Sequence, residues 1–293
     1  MFCPVETPGV TSGPGSSLPD LRQIADNLVP SEEGFWVSPG HRDFKFVESE
    51  KTDWLRIEET SYWYSHRNRC FLALIRLFPP RGAIFEIGAG NGSVALALQN
   101  AGYSVIAIEP TVRLAVNAKK RGIHNVVCSA LENAGFKPDT LSNVGMFDVL
   151  EHISSDAEYL KTLRHLMPTG GRFYCAVPAW QFLWSREDEA AEHLRRYSLK
   201  ELKRKVANAG FAIEYSTYYF SALLIPILLF RALPSRLGLR KQRTPELSVN
   251  EHTLRPGFGS RVVQAVLNWE IDQLVSAKRC ILGASCLVVA RAV

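Results

Sequence analysis

Short apolar runs alternate with amphipathic segments through the middle of the chain. The runs are rich in Val, Ile and Phe, whereas the segments between them place apolar residues at helical spacing. The pattern predicts strands over residues 83–88, 104–109, 125–128, 143–147 and 172–177, with helices over 92–101, 111–121 and 155–167. Because strands that alternate with helices usually pair in parallel, the chain is predicted to be an α/β protein with helices on both faces of a mostly parallel sheet.

The C-terminal part adds two strands and a long insertion between them. A helix is predicted over 198–208, and strands over 211–218 and 285–291 bring the sheet to seven strands. The roughly 65 residues between these two strands exceed the usual length of a connection. We therefore expect a helical insertion or cap at 219–280, with a helix over 261–275, followed by a segment 281–293 that carries the final strand.

The insertion begins with an apolar run of about 13 residues, followed by several arginines. A run of that length is too short to cross a bilayer, which takes roughly 20 residues. Three interpretations remain open: peripheral membrane contact through 219–243, a cover over a pocket for an apolar substrate, and a buried helix bent at Pro226.

Three further segments precede the insertion. Residues 1–20 are rich in Pro, Gly and Ser and lack the pattern of a secretory signal, so a flexible tail is predicted. Residues 21–80 are aromatic and charged and predict a helical lid segment that ends at Pro79-Pro80. Residues 81–218 form the predicted cofactor-binding core.

Composition narrows the classes of partner. The 293 residues are 46% hydrophobic and 22% charged, which is enough for a large core. The net charge is +5, but Lys and Arg are dispersed among acidic residues, so no nucleic-acid partner is expected. The six cysteines are far apart and form no Cys-x-x-Cys pair, which favours reduced thiols and a cytoplasmic location.

A glycine turn follows the first predicted strand of the core, in the order Glu86-x-Gly88-x-Gly90-x-Gly92. Glycines there allow positive φ and close approach of a ligand to the start of a helix. Dinucleotide sites favour Gly-x-Gly-x-x-Gly, whereas here the third glycine comes one residue early. The acidic Glu86 disfavours a diphosphate and favours a cationic ligand, of which S-adenosylmethionine is one.

A second acid lies at the end of the next predicted strand. Glu109 follows Gly92 by 17 residues, close to the spacing of a ribose-binding acid. Its carboxylate can accept hydrogen bonds from both ribose hydroxyls. The alternative is an ordinary solvated acid at the end of a strand.

Three motifs together resemble the class I S-adenosylmethionine-dependent methyltransferases, in particular bacterial small-molecule members of the type 11 and type 12 groups. They are Phe85 to Gly92, Ile108-Glu109-Pro110, and Phe147 to Ile153. The resemblance covers residues 60–220 well and the final strand loosely. It implies a Rossmann-like fold, S-adenosylmethionine as cofactor and S-adenosylhomocysteine as product.

The resemblance also implies the cofactor contacts. Glu86 and the glycine backbone face the methionine end, and Asp148 lies near the methionine moiety or the reacting methyl. The usual adenine-binding acid or hydroxyl is replaced by Cys128-Ser129-Ala130, so adenine is expected at the amides near Leu131 and Glu132. The complete expected cofactor set is Arg67, Glu86, Gly88, Ala89, Gly90, Asn91, Glu109, Pro110, Leu131, Glu132, Asp148 and Val149.

Arg67 and the aromatics before it have two interpretations. The arginine is able to pair with the cofactor carboxylate, with Trp63 and Tyr64 forming part of a lid. Alternatively, the aromatic side chains only seal the helix against the sheet.

Candidate acceptor-side residues come from two segments. His152 follows Asp148 by four positions and is either a general base or a structural histidine. Glu151 is expected to cap the next helix. After the fifth strand, Asp188 and His193 are candidates for a base or substrate anchor. The candidate substrate-binding residues are Trp63, Tyr64, Trp180, Trp184 and Tyr197, with packing and surface pairs as the alternative.

The sequence thus predicts a methyltransferase that acts on an oxygen or nitrogen of a small, aromatic or amphiphilic substrate. No pair of His or Cys residues has ligand spacing, so no metal is expected. The alternatives are an NAD(P)-dependent oxidoreductase and a methyltransferase-like module at a membrane surface that acts on a lipid-linked substrate.

Overall fold

One mixed sheet organises the residues that the computed structural model describes, which are 18–39, 54–239 and 258–293. The spatial order of its nine strands is β1-β2-β5-β4-β3-β6-β7-β9-β8. The strands are β1 (Val29–Pro30), β2 (Trp36–Val37), β3 (Ile84–Ile87), β4 (Val105–Ile108), β5 (Asn125–Cys128), β6 (Asn143–Phe147), β7 (Arg172–Pro178), β8 (Phe211–Tyr219) and β9 (Ser285–Ala292). Strands β2 to β7 pair in parallel, whereas β1, β8 and β9 pair antiparallel to their neighbours.

The predicted Rossmann-like, mostly parallel sheet is confirmed, with seven of its strands where the sequence pattern puts them. The two additional strands, β1 and β2, contain two residues each and extend the edge beside β5. Runs that short have no detectable alternation, which explains why the pattern does not predict them.

Helices cover both faces of the sheet. They are α1 (Leu21–Ile24), α2 (Trp54–Thr60), α3 (Tyr62–Leu77), α4 (Ser93–Asn100), α5 (Val112–Lys120), α6 (Leu131–Ala134), α7 (Asp156–Leu166), α8 (Arg186–Ala190), α9 (Leu199–Asn208), α10 (Leu224–Ile227), α11 (Leu233–Arg236) and α12 (Phe258–Val275). Successive residues of a strand point to opposite faces. Accordingly, Phe85 and Ile87 belong to one apolar cluster, while Ile84 belongs to a second.

The insertion returns to the N-terminal part of the fold. A π-helical turn over Leu228–Ala232 joins α10 to α11, and α12 then runs along α3. Leu267 and Leu274 of α12 are buried, and Asn268 accepts a hydrogen bond of 3.0 Å from Arg69 of α3. The described C-terminal part of the long connection is therefore packed against the helix that precedes the sheet core.

The parallel strands place their carboxyl ends at one edge of the sheet, where ligands of such folds bind. The glycine turn follows β3, Glu109 follows β4, Asp148 follows β6, and the loop with Trp180 follows β7. Residues from separate motifs therefore meet at this edge.

Candidate active site

The glycine turn after β3 has the backbone that a close-fitting ligand requires. Gly88, Gly90 and Gly92 have φ of +71°, +56° and +79°. A Cβ at Gly90 would meet no atom within 4 Å, whereas one at Gly88 would lie 2.6 Å from a methyl of Val149. The turn is thus packed on one side and open above Gly90.

Glu109 is fixed against this turn. It is buried, and its two carboxylate oxygens accept hydrogen bonds of 2.8 Å from the backbone N–H of Gly90 and of Thr111. Carboxylate oxygens accept more than one hydrogen bond each, so the position is compatible with ribose hydroxyls. The ribose role stays a prediction.

Glu86 is a buried acid beneath the turn. Its Oε2 has no hydrogen-bond partner within the described residues. Burial raises the pKa of Glu86 to about 8, and the positive charge of Arg67 opposes this rise only in part. A cationic ligand above the turn would stabilise the ionised carboxylate. The open cradle and this acid fit a sulfonium cofactor.

Asn91 connects the turn to α2. Its Nδ2 donates to Glu58 Oε1 at 3.0 Å, and its Oδ1 accepts from Asn117 at 3.0 Å. Arg121 completes the network with a 2.5 Å contact to Glu58 Oε2. The sequence pattern does not identify Glu58, because nothing in the spacing of α2 links this residue to the turn.

Arg67 lies between the aromatic helix entry and the end of β6. Its Nη1 donates to Asp148 Oδ2 at 3.0 Å, and its guanidinium is 4.8 Å from the ring centroid of Tyr64 and 5.1 Å from that of Trp63. Asp148 has a φ of +59°, a conformation that directs the chain away from the strand. In this structure the partner of Arg67 is thus Asp148; pairing with the cofactor carboxylate stays a prediction.

The expected adenine-binding residues lie at the end of β5. Leu131 and Glu132 begin the short helix α6, and Leu131 is buried. Ser129 is also buried, and its hydroxyl donates to Ser38 or to the Ala130 carbonyl, both at 2.8 Å. Ala89 lies in the glycine turn after β3, and Pro110 follows Glu109 in the turn after β4.

Two histidines from distant segments meet beyond Asp148. The rings of His152 and His193 are 4.9 Å apart and nearly perpendicular. His193 Nδ1 is 2.8 Å from Asp188 Oδ1, which also accepts from Arg196 at 2.7 Å. Burial lowers the pKa of His152 to about 4, with His193 contributing in the same direction. The structure thus brings together the three candidate catalytic residues.

Glu151 does not cap the following helix, contrary to the sequence-based expectation. The residue before α7 is Ser155, while Glu151 is fully buried and its Oε1 is 3.9 Å from His193 Nε2. Neither of its carboxylate oxygens has a hydrogen-bond partner within the described residues. The turn over Leu150–His152 points this side chain inward and away from the helix.

The aromatic candidates occupy different environments. Trp63 stacks on Phe220 at 5.2 Å, and Trp180 stacks on Tyr218 at 4.8 Å. Trp184 is partly buried. A role in substrate binding stays a prediction for Trp63, Tyr64, Trp180 and Trp184.

Tyr197 differs from its expected role at the substrate pocket. It is fully buried in the core, and its hydroxyl donates to Asp156 Oδ2 at 2.8 Å. The hydroxyl is thereby satisfied within the protein, as a buried phenol requires. Its position is that of a structural residue.

The insertion exposes apolar side chains next to the loop after β7. Ile225, Phe230, Leu237 and Leu239 are each more than 60% exposed. Within the described residues, no helix combines the length and apolarity needed to span a membrane. The part of the predicted contact segment from 240 to 243 lies outside the described residues.

The sequence of residues 62–216 matches a family model described as "Methyltransferase domain". This range is more than half of the 293-residue chain. No curated protein matches the chain.

Several solved structures are similar to the chain. One chain of the complex between the Haloferax volcanii Trm112 methyltransferase activator and a methyltransferase has a TM-score of 0.50 at 15% identity, with 78% of this chain and 89% of that chain covered. The cyclase SpnF has a TM-score of 0.51 at 14% identity, with 80% and 84% covered. Identities this low support the fold alone.

The glycine cradle, the buried acid beneath it and the family match agree on one cofactor, S-adenosylmethionine. Nothing in them supports an NAD(P)-dependent oxidoreductase. The chain belongs to the methyltransferase-domain family, as a member that uses S-adenosylmethionine.

Proposed function

We propose that the protein methylates an oxygen or nitrogen of a small, aromatic or amphiphilic organic substrate. The observation that carries this proposal is the cluster of His152, His193 and Asp188 beside the cofactor edge of the sheet. When bound, S-adenosylmethionine supplies a methyl group on a positively charged sulfur. An electron pair of the acceptor attacks the methyl carbon, and the sulfur leaves as S-adenosylhomocysteine.

The cofactor is held, in this proposal, by the glycine turn and three acids. Glu109 accepts hydrogen bonds from the ribose hydroxyls, and the cofactor lies in the open space above Gly90. Glu86 faces the positively charged sulfonium. The pair of Arg67 and Asp148 closes the methionine side. In the same proposal, the described parts of the lid segment (21–39 and 54–80) and of the insertion (219–239 and 258–280) shield this edge from water.

The acceptor is oriented by the imidazole of His193. Because ionised Asp188 only accepts hydrogen bonds, its contact at Nδ1 assigns the proton of His193 to that nitrogen. Nε2 is then left with a lone pair able to accept a proton from an acceptor hydroxyl or amine. His152, with its pKa of about 4, is neutral near pH 7 and places a second uncharged imidazole beside it.

An amphiphilic acceptor is supported by the apolar surface next to this cluster. Arg236 of the insertion donates to the Phe182 carbonyl at 2.7 Å, and Ser235 accepts from the Arg186 amide at 3.0 Å. These contacts attach the insertion to the loop that carries His193. Phe182 and Leu194 of that loop are themselves exposed.

A cytoplasmic location is also proposed, supported by free thiols at all five described cysteines.

The test is release of S-adenosylhomocysteine in the presence of a panel of phenols, alcohols and amines with and without apolar tails. Turnover with at least one acceptor is expected, and we expect His193→Ala to lower kcat by about 10²-fold or more because it removes the proton acceptor. The matched control is His165→Ala, an exposed histidine on α7. Equal turnover of the two variants would contradict the role of His193.

A further inference from the structure

Glu151 is a buried carboxylate that forms no ion pair with an arginine or a lysine among the described residues. Neither of its oxygens has a hydrogen-bond partner in the described part of the chain. The neighbouring acids differ, since Asp148 pairs with Arg67 and Asp188 pairs with Arg196. Burying a carboxylate with neither hydrogen bonds nor a counter-charge is costly, so this position favours a bound cation or a proton.

Two imidazoles lie next to this carboxylate. One ligand atom from each of Glu151, His152 and His193 lies within 4.8 Å of the other two. The separation of His193 Nε2 from Glu151 Oε1 is 3.9 Å. Three ligand atoms about 2.1 Å from one tetrahedral ion are about 3.4 Å apart, so small side-chain adjustments bring the three atoms onto a common ion.

The orientation of His193 is that of a metal ligand. Asp188 binds its Nδ1 at 2.8 Å, which leaves Nε2 facing Glu151. Histidines that bind metals through one ring nitrogen commonly donate the other N–H to a carboxylate in this way. Asp188 is held in turn by the Ser185 amide at 2.9 Å and by Arg196.

We infer that Glu151, His152 and His193 bind a divalent first-row transition-metal cation such as Mn²⁺ or Zn²⁺. Two nitrogens and one oxygen suit these ions, and three protein ligands leave coordination positions open. The spacing of the sequence predicts no metal, because His193 is 41 residues from His152 and only the fold brings them together.

An ion here would bind an acceptor hydroxyl at an open position. Coordination would lower the pKa of that hydroxyl, so that its proton would pass to solvent. The oxygen would then form a bond to the methyl carbon as the methyl–sulfur bond breaks and S-adenosylhomocysteine leaves. In this state the two imidazoles are ligands and not bases. This role rests on the methyl transfer to oxygen proposed above, whereas binding of the ion does not.

The test uses the full chain, freed of metal by a chelator and titrated with Mn²⁺ by calorimetry and with Co²⁺ by visible absorption. We expect one ion per chain and Co²⁺ bands of a site with nitrogen ligands. Glu151→Gln is expected to weaken binding more than tenfold, and Asp188→Asn by about 10- to 100-fold. The exposed His165→Gln serves as control and is expected to bind like the wild type.

Absence of stoichiometric binding by the wild type overturns the inference, as does unchanged affinity in both Glu151→Gln and His193→Gln. Glutamine matches glutamate in size and removes a buried charge, so Glu151→Gln is expected to fold. If it does not, His193→Gln, at a partly exposed position, carries the test. Full methyl transfer by metal-free protein would refute the catalytic role of the ion and leave the proposed function intact. Ion binding without transfer to any acceptor would refute the proposed function and leave the ion site intact.

Discussion

Two clusters among the described residues contain histidine and glutamate but differ in how their hydrogen bonds are satisfied. In the first, His66 Nε2 is 2.7 Å from Glu270 Oε2, and Glu270 also accepts from the backbone N–H of Phe220 and Ser221 at 2.9 and 2.8 Å. In the second, Glu151 accepts no hydrogen bond within the described residues. The first cluster therefore joins parts of the fold, and the second is suited to a ligand.

Cys70 strengthens the contrast. Its Sγ is 3.3 Å from His66 Nε2, so the first cluster also has the composition of a metal site. Burial raises the pKa of the Cys70 thiol well above its usual value, and the nearby Glu270 adds to the effect. A protonated thiol is a poor metal ligand. Composition alone does not distinguish the clusters, but the hydrogen bonds do.

The largest effect is expected at Glu270. Glu270→Ala would leave His66 and two backbone N–H groups without their partner, at a cost of about 3–5 kcal/mol in the free energy of unfolding. Thermal or urea denaturation measures this, with the exposed Asp272→Ala on the same helix as control, expected within about 0.5 kcal/mol of the wild type. A loss below about 1 kcal/mol would mean that this cluster is not structural.

Asp188→Asn is expected to act on catalysis. The amide no longer assigns the proton of His193 to Nδ1, so methyl transfer falls about 10- to 100-fold, with a changed pH profile of kcat. Glu189→Gln, an acid-to-amide change at an exposed position of the same helix, is the control. If Asp188→Asn and Glu189→Gln lose methyl transfer to the same extent, the loss comes from general damage to α8 and not from the positioning of His193.

Glu151→Gln is expected to leave the stability of the metal-free protein within about 1 kcal/mol of the wild type, because no hydrogen bond of the carboxylate is lost. This is the opposite of the result expected at Glu270. Denaturation in the presence of chelator measures it. A loss above about 2 kcal/mol would place Glu151 with the structural cluster.

A pH dependence of stability is expected at Glu86, another buried acid. Its pKa of about 8 in the folded protein lies above the unfolded value near 4.5, so the folded state retains a proton that the unfolded state loses. Wild-type stability without cofactor should therefore fall, relative to Glu86→Gln, as pH rises from about 4.5 to about 8. Melting temperatures at pH 5, 6.5 and 8 measure the difference. A constant difference between the two proteins would contradict the raised pKa.

The positions of the candidate cofactor residues in the fold were largely predictable, because their determinants are local. Gly88, Gly90 and Glu109 lie at strand ends that the hydrophobic pattern marks, and strand order follows from the alternation of strands and helices. Glu58 could not be predicted in the same way. Its contacts with Asn91 and Arg121 join residues at least 33 positions apart.

The arrangement of the candidate acceptor-side residues depends on tertiary structure. The candidates His152, Asp188 and His193 were identified as residue types in loops, but their contact requires the chain after β7 to fold back over the end of β6. The hydrogen bond from the Leu194 amide to the Glu151 carbonyl, at 2.9 Å, fixes that return. Such pairings have no local signature, and the burial of Tyr197 was missed for the same reason.

One turn of α3 contacts both the insertion and the carboxyl end of β6. His66 contacts Glu270 in the insertion, and the next residue, Arg67, contacts Asp148 at the end of β6. The two side chains are adjacent on one helical turn. A displacement of the insertion that moves His66 would therefore also move Arg67 and its partner Asp148. If Asp148 lies beside the methyl donor, as proposed, we expect movement of the insertion to alter donor binding, which would appear in kinetics as an ordered binding of the two substrates.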